Sequence, residues 1–547
     1  MNKNNKLVRI GIDLDNTVIS YDKAFQLEAV KQALIEINPQ LNKQTLRDKI
    51  RKKPNGESEW QKLQGYIYGE GINQAILFPG VYRFLWRCYE ANIEVEIVSH
   101  KTEFGHFDIK KTSLRESATN FLINQGLLDK KNPLIKKVVY KSTQKEKIDY
   151  VKNNNYEWFI DDLEEIIFSS ELEHLKGIIF SSKIQATNKS NKIIAHSWEE
   201  INQIILGDWD LEEIKNMTNV LNSKSKTDRI EKLQGRGNSA IYKLYLKNGD
   251  KSALKIYPEI SHHDRLKSEF ESTRIFKELK ITNVQEPISF NTSLGIATYK
   301  WIEGERISSY GKKELKAALS FLSVLHQNSK ADQFRSFPMA ADACPRVSDI
   351  EKQIKRRLVQ FNEASSKHIE LEFFLKNDFQ PLLNEIISWS KASFISSSDY
   401  TNPIKNDELV LSPSDFGFHN VLYSQNDSLI FHDFEYFGWD DPVKLISDFS
   451  HHAAMNLSEE MEQLWFLGVS KIYDNHLLGR LQSAWPLYGL NWCLIILNEF
   501  KDDVWNRRCA ADNSKTHMRD ELLSIQLSKS KIKLEKLALS YKDKYYW

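Results

Sequence analysis

The chain reads as α/β in two parts: a doubly wound parallel sheet with a small helical cap, then an α+β region of antiparallel strands followed by helices. Two observations predict this. Up to about residue 205, short apolar runs ending in acids or hydroxyls alternate with helical segments, the pattern of a parallel sheet. From residue 228 the runs are instead joined by a glycine-containing turn and an Asn-Gly-Asp hairpin turn, and mostly helical sequence follows. A length of 547 residues also exceeds what one hydrophobic core usually organises.

In the first part, LVRIGIDLD is a continuous apolar run closed by acids, as expected of a strand buried on both faces. NIEVEIVSH, YEWFIDDL and HLKGIIFSS repeat the pattern, with helical VYRFLWRCYEA, SLRESATNFLINQG and QKEKIDYVKNN between them. Residues from about Asp22 to Pro79 break the alternation; they read as helical, rich in lysine and aromatics, and suit a cap. The expected organisation is 1–205 for this domain with the cap at about 22–79, a linker over 206–227, and 228–547 for the second domain. There, the residues from Ile230 to Glu259 read as three antiparallel strands, HDRLKSEFESTRIFKEL as a helix, and LGIATYKWIEG as a further strand. From about Lys312 the chain is largely helical, with short strands near Asp415 and Asp433.

The composition narrows the function classes. An apolar fraction of 41% and a charged fraction of 27% are those of an ordinary globular protein. A net charge of +1, with no prominent basic patch, argues against a nucleic-acid partner. Cys88, Cys344, Cys493 and Cys509 form no CxxC pair and read as thiols of a reducing compartment. The N-terminus has no signal-like apolar region, and no stretch approaches the ~18 apolar residues of a membrane helix. A cytoplasmic location is expected; the oligomeric state is left open.

Acids at strand ends, where ligands of parallel sheets bind, carry the first candidate site. Asp13 is placed as a nucleophile on phosphorus, and Asp15, two residues on, as the acid that protonates the leaving oxygen. Ser99 is a candidate hydrogen-bond partner of the phosphate and Thr17 a further substrate contact, while His100, Lys101 or His106 could orient the substrate from the loop that follows. Lys147 is the candidate cation for the phosphate, with Lys141 and Lys145 close by. Asp13, Asp15, Asp161 and Asp162 form an oxygen-only set suited to Mg2+. The DxDxT motif, Ser99, Lys147 and the Ile-Asp-Asp run, in that order, resemble the haloacid dehalogenase superfamily over about residues 6–205. The resemblance implies Asp13 as nucleophile, Asp15 as acid/base, Ser99 and Lys147 on the phosphate, and Asp161 on magnesium.

A second set follows. GRGNSAIYK supplies Gly235, Gly237 and Ser239 as a loop for nucleotide phosphates, and Lys255 lies on a following strand, as a kinase lysine does. Glu269 is its candidate ion-pair partner, with Glu271 as the alternative. Asp415 and Asn420 have the five-residue spacing of a kinase catalytic loop, and Asp433 follows an apolar strand as a metal ligand would. No GxxxxGK[ST] loop occurs. These residues resemble the aminoglycoside phosphotransferase and choline kinase superfamily over about residues 228–500, a bilobal, protein-kinase-like fold. The resemblance implies ATP as cofactor, Asp415 on the acceptor hydroxyl, and Asn420 and Asp433 on Mg2+. It also places Glu435 at the site, and Asp440, Asp441 and Asp448 in an acceptor pocket or as support for the loop. Tyr436 and Trp439 are candidate faces for a cationic acceptor. The chain departs from the family at Pro413, which stands where a loop-bracing histidine is usual.

The expected function is a bifunctional enzyme: a phosphatase for a small phosphoester, and a kinase for a hydroxyl of a sugar, polyol or amino alcohol. The alternatives are a single working domain, or a regulatory protein that binds nucleotide and phosphoester without turnover.

Overall fold

The computed structural model describes residues 8–36, 42–181, 192–221, 225–233, 239–259, 263–394, 397–473, 477–511 and 518–542. The chain divides into two compact units, Met1–Asn216 and Met217–Trp547, and the division falls within one helix, Leu211–Leu221.

In the first unit six parallel strands lie in the order Lys137–Lys141, Glu94–His100, Arg9–Ile12, Trp158–Asp161, Lys176–Phe180, Lys192–Ala195. The strand earliest in the chain is therefore central, and the order reverses beside it, which opens a crevice at the carboxyl ends. Register supplies the chemistry: Ile12 pairs with both Ile97 and Ile160, so the residues that follow emerge side by side. Asp13 N donates to Ile160 O at 2.8 Å. Ile10 and Ile12 are fully buried, while a Cβ at Gly11 would meet the Phe159 ring at 2.7 Å. Helices Leu114–Asn124, Gln144–Asn153 and Trp198–Leu206 each begin with a Ser/Thr-x-x-Glu pattern, and Ser113, Thr143 and Ser197 accept the backbone N–H three residues on.

Between the first two strands of this sheet stand helices Asp22–Lys31, Lys43–Arg51 and Gly56–Tyr68. The insert is closed at its base by a two-stranded ladder pairing Ile19 with Leu77 and Ser20 with Ile76. Phe25 stacks on Trp60 at 4.9 Å and Tyr21 meets Tyr68 edge-on at 4.7 Å, so aromatic packing holds this small element together.

The second unit opens with a five-stranded antiparallel sheet in the order Pro287–Asn291, Ile296–Lys300, Lys251–Ile256, Ala240–Leu246, Thr227–Lys232. Helix Arg265–Glu278, capped by Asp264, stands in the chain between the strands Lys251–Ile256 and Pro287–Asn291. The remainder is helical, with long helices Lys312–Gln327, Leu477–Ile496 and Arg519–Ser540, interrupted by two short ladders. One joins Gly304–Arg306, Val421–Ser424 and Leu429–Phe431; the other pairs Val410–Ser412 with Gly438–Asp440. Phe416 and Phe434, next to Asp415 and Asp433, are buried in a cluster with Phe321 and Phe431. Burying these neighbours leaves the adjoining acids at the edge of the core. No described helix is long and apolar enough to cross a membrane.

Gly438 lets the ladder strand lie against the Pro338–Ala340 backbone, where a Cβ would sit 2.4 Å from Ala340 N and 2.6 Å from Pro338 O. Backbone cannot yield as a side chain does, so Gly438→Ala is expected to cost about 1–3 kcal/mol. A fall in the thermal unfolding temperature, absent in Gly479→Ala, where a Cβ meets nothing within 4 Å and φ is not positive, is the check.

Candidate functional sites

At the carboxyl ends of the parallel strands, Lys147 is 1% exposed and its Nζ lies 2.5 Å from Asp13 Oδ1 and 2.7 Å from Asp161 Oδ2. The register sets the two aspartates, and the Thr143 cap starts the helix that delivers the lysine. Lys145 is exposed and pairs with Glu171, while Lys141 lies over the Tyr150 ring, so Lys147 is the lysine of this cluster. Asp162 completes it, since Asp13, Asp161 and Asp162 offer oxygens within 4.8 Å of one another. Burial, only partly offset by Lys147 and reinforced by Asp161 and Asp162, pushes the Asp13 carboxyl up to about 8. Burial and Asp161 push Asp162 up to about 6. Three carboxylates with one ammonium leave surplus negative charge on an all-oxygen donor set, which fits a hard divalent cation.

Asp15 does not join that set, contrary to the metal role expected of it. Its carboxylate is engaged elsewhere: Lys101 Nζ donates to Oδ2 at 2.6 Å and Tyr21 OH to Oδ1 at 2.7 Å. Burial raises the Asp15 pKa, but Lys101 and Tyr21 outweigh it and hold the group below its ordinary range. His100 is also corrected as a substrate contact. Val95 to Ser99 are buried on both faces, whereas His100, the last residue of Glu94–His100, is exposed and its ring nitrogen meets Ser142 O at 3.0 Å. Lys101, one residue further, reaches the acid instead. Thr17 and Ser99 are both buried, and their hydroxyls have no hydrogen-bond partner among the described residues. Orphaned hydroxyls beside the cluster suit phosphoryl oxygens.

The cap contributes what the motifs did not indicate. Lys43 Nζ donates to Asn16 Oδ1 at 3.0 Å and to Tyr68 OH at 2.5 Å, and it lies 5.1 Å from the Tyr68 ring centroid. Asn16, between the two motif aspartates and the buried threonine, holds φ at 62°, a left-handed conformation that asparagine tolerates, and reaches Asp162 Oδ2 at 3.3 Å. Two lysines, Lys43 and Lys101, thus stand over Asp15 and its loop. The only sequence signal was the lysine and aromatic richness of the insert.

In the second unit the lysine at the centre is Lys255, whose Nζ lies 2.7 Å from Glu269, 2.5 Å from Asp433 and 3.0 Å from Glu435. Glu269 is the partner, and Glu271 pairs with Arg274 instead. Tyr257 and Gln285 also donate to Glu269, at 2.6 and 2.5 Å. Burial opposes the charge of Lys255, yet the three carboxylates hold it well above its usual range. Ser239 Oγ donates to Glu435 at 3.1 Å, and Arg265 pairs with the same carboxylate at 3.0 Å. Gly235 and Gly237 lie outside the described residues. Asp433 holds φ at 69° and Ser414 at 66°, strained positions for residues with side chains, and each adjoins or is a candidate acid.

Asp415 is 34% exposed at its side chain, and Asn420 Nδ2 donates to its backbone oxygen at 3.0 Å. Burial raises the Asp415 pKa, but hydrogen bonds from His419 and His452 draw it well below the ordinary range. Neither histidine was singled out from the sequence; His452 lies 37 positions beyond the acid and no spacing rule connects them. Asp440 is corrected as a substrate contact: it is fully buried and its Oδ1 accepts Cys344 N at 2.9 Å and Asp441 N at 2.8 Å. Asp441 caps helix Pro442–His451 and pairs with Arg480 at 2.7 Å. Both acids brace the segment: Asp440 Oδ1 takes two backbone N–H groups while its Oδ2 faces Lys444 Nζ at 3.5 Å, and Asp441 holds a backbone N–H and a guanidinium. Tyr436 already carries Arg265 at 4.9 Å from its ring centroid, and Trp439 Nε1 donates to Phe334 O.

No family model and no curated protein matches the chain. Solved structures do. A spectinomycin phosphotransferase with bound ADP and spectinomycin is 14% identical, covers 61% of this chain and 99% of its own, and has a TM-score of 0.43. An ethanolamine kinase of Plasmodium vivax is 15% identical over 63% of this chain and 95% of its own, with a TM-score of 0.39. A choline kinase of Streptococcus pneumoniae is 14% identical over 59% of this chain and 98% of its own, with a TM-score of 0.37. At this distance the site chemistry rests on this chain's own residues.

Removing Lys147 leaves two buried carboxylates without their cation. Lys147→Met is therefore expected to lower stability by about 3–5 kcal/mol, while Lys145→Met, whose partners are solvated, costs less than about 1 kcal/mol. Denaturant unfolding of the two variants compares them directly.

Proposed function

We propose that the chain carries two phosphoryl-transfer centres working in opposite directions. The first unit is a Mg2+-dependent phosphatase of a small phosphomonoester. The second is an ATP-dependent kinase acting on a hydroxyl of a sugar, polyol or amino alcohol. The observation that carries the reading is shared by both: a group of three carboxylates with one buried lysine paired to two or all of them, and more negative charge than that lysine neutralises.

In the phosphatase, Asp13 attacks phosphorus and becomes an aspartyl phosphate, with Lys147 balancing charge on nucleophile and phosphoryl oxygens. Ser99 and Thr17 donate to those oxygens. Asp15 gives a proton to the leaving oxygen and later takes one from water. Lys101 now holds Asp15 ionised; an incoming phosphoester competes for that ammonium, and its withdrawal raises Asp15 toward the acid form. Asp13, Asp161 and Asp162 would hold Mg2+, whose charge supports the phosphoryl group.

In the kinase, Lys255 neutralises nucleotide phosphates and Glu269 fixes its direction. Ser239 contacts the phosphates. Asn420 and Asp433 would hold Mg2+, which neutralises the charge between the phosphates, with Glu435 tying Ser239, Lys255 and Arg265 to the same place. Asp415 orients the acceptor hydroxyl and receives its proton. Two activities on one position would only hydrolyse ATP, so the substrates are expected to differ in the position phosphorylated.

The test uses the full chain with Mg2+, a panel of phosphorylated metabolites, and ATP with sugar, polyol and amino-alcohol acceptors. Asp13→Asn is expected to lower phosphate release, and Asp415→Asn to lower ADP formation, each by about 10²-fold or more and each without effect on the other reaction. If one variant removes both activities, only one centre works. If the wild type binds ATP but turns over neither panel, the chain is a binding protein and the proposal falls. Chelation of the metal is expected to stop both reactions and magnesium to restore them; activity that persists in chelator contradicts the metal assignment.

A further inference from the structure

Pro413, in place of the usual histidine, leaves the catalytic-loop aspartate without its brace, and two other histidines converge on that aspartate. His419 Nε2 and His452 Nε2 each lie 3.2 Å from the same oxygen, Asp415 Oδ1. Their rings stack with centroids 4.0 Å apart and planes 8° from parallel. His419 comes from the loop itself, where a Cβ at residue 417 would stand 2.7 Å from His419 Nδ1, so Gly417 makes room for the ring. His452 comes from the residue just past helix Pro442–His451, whose far end is anchored by Asp441. Its other face meets Trp492 at 4.4 Å, and Trp492 Nε1 donates to Asp448.

We propose that His419 and His452 are positioning residues for Asp415, both donating Nε2–H to Oδ1, which leaves Oδ2 for the acceptor hydroxyl. The inference rests on the kinase reading above. The tautomers follow from the partners of the other ring nitrogens. Ala454 N can only donate, and it does so to His452 Nδ1 at 3.0 Å, so that nitrogen is unprotonated and the proton is on Nε2. His419 Nδ1 is buried with no partner among the described residues. His419 Nε2 faces a carboxylate oxygen, which can only accept, so the proton of that contact is on Nε2. Two charged rings stacked at this distance would repel, whereas two neutral ones pack. A metal ion held by the three side chains fits less well. It would have to lie in the plane of both imidazoles, and nearly parallel stacked rings do not share a plane.

Fixing one oxygen from two directions does what a single preceding histidine would do: it removes rotation about the carboxylate and holds it ionised. No hydrogen bond to Oδ2 occurs among the described residues, as the acceptor role requires.

The test compares His452→Ala with His452→Gln in the full chain, because a glutamine amide N–H reaches about where Nε2 stands. The alanine variant is expected to lose about 10²-fold in kcat, the scale of a misplaced catalytic group, with KM for ATP nearly unchanged. The glutamine variant should recover about tenfold of that loss. Equal losses in two variants with wild-type unfolding temperatures would overturn the proposal, as would a loss confined to KM. A second measurement does not need turnover. Long-range 1H–15N spectra of histidine-labelled protein, assigned by the two histidine substitutions, should show Nε2–H in both rings and a shift of both in Asp415→Asn. A proton on Nδ1 of His452 at neutral pH, or stoichiometric zinc binding lost in His452→Gln, rejects the proposal. If the wild type forms no ADP with any acceptor, the kinase reading fails, and the spectra still decide the placement of Asp415.

Discussion

A lysine without access to water must share its charge with carboxylates, and carboxylates without access to water must find a cation. Lys147 and Lys255 each sit at that balance, and each is outnumbered. Asp13 and Asp161 pair with the first, with Asp162 beside them; Glu269, Asp433 and Glu435 surround the second. Such clusters are poor devices for stability alone, because the desolvation of several like charges is not recovered by one ammonium. They make sense where a divalent cation and a phosphoryl group complete the charge, so the same imbalance that burdens the fold prepares the chemistry.

The rest of each unit keeps these charges in place. In the first, strand register sets Asp13 beside Asp161, and a threonine cap starts the helix that carries Lys147. In the second, buried Phe416 and Phe434 hold the chain on either side of the candidate acids, and left-handed Ser414 and Asp433 turn it there. Strain at such positions persists only where packing over-determines the backbone, and the phenylalanine cluster provides that packing. Asp440 and Asp441 serve the same end through backbone N–H groups and Arg480.

Parts of this were legible in the sequence because the signals are local. An apolar run followed by acids marks the end of a buried strand, and Ser/Thr-x-x-Glu marks a helix start. These rules brought out Asp13, Ser99, Lys147 and Asp161, whose side chains lie together or beside one another, and likewise Lys255, Glu269 and Asp433. Other assignments failed for a common reason. Asp15 has the type and spacing of a metal ligand, but Lys101 and Tyr21 occupy its oxygens. His100 has suitable chemistry, but it ends its strand past the buried run and faces solvent. Asp440 lies in an acidic run beside the site, but it is fully buried and backbone N–H groups take one of its oxygens.

Lys43, His419 and His452 mark the boundary most clearly. Nothing in the insert's sequence singles out Lys43 among many lysines; it matters because the ladder at Ile19–Leu77 and the aromatic packing bring it over Asn16. His452 is separated from Asp415 by a strand ladder and a helix, and only the course of that helix puts it against the acid. The sequence by itself determined which elements form and which chemical groups stand at their ends, because strand and helix periodicity and capping act within a few residues. Only the tertiary structure decided which of those groups share one another's charge. That depends on register, helix direction and burial, and each is settled by contacts between residues far apart in the chain.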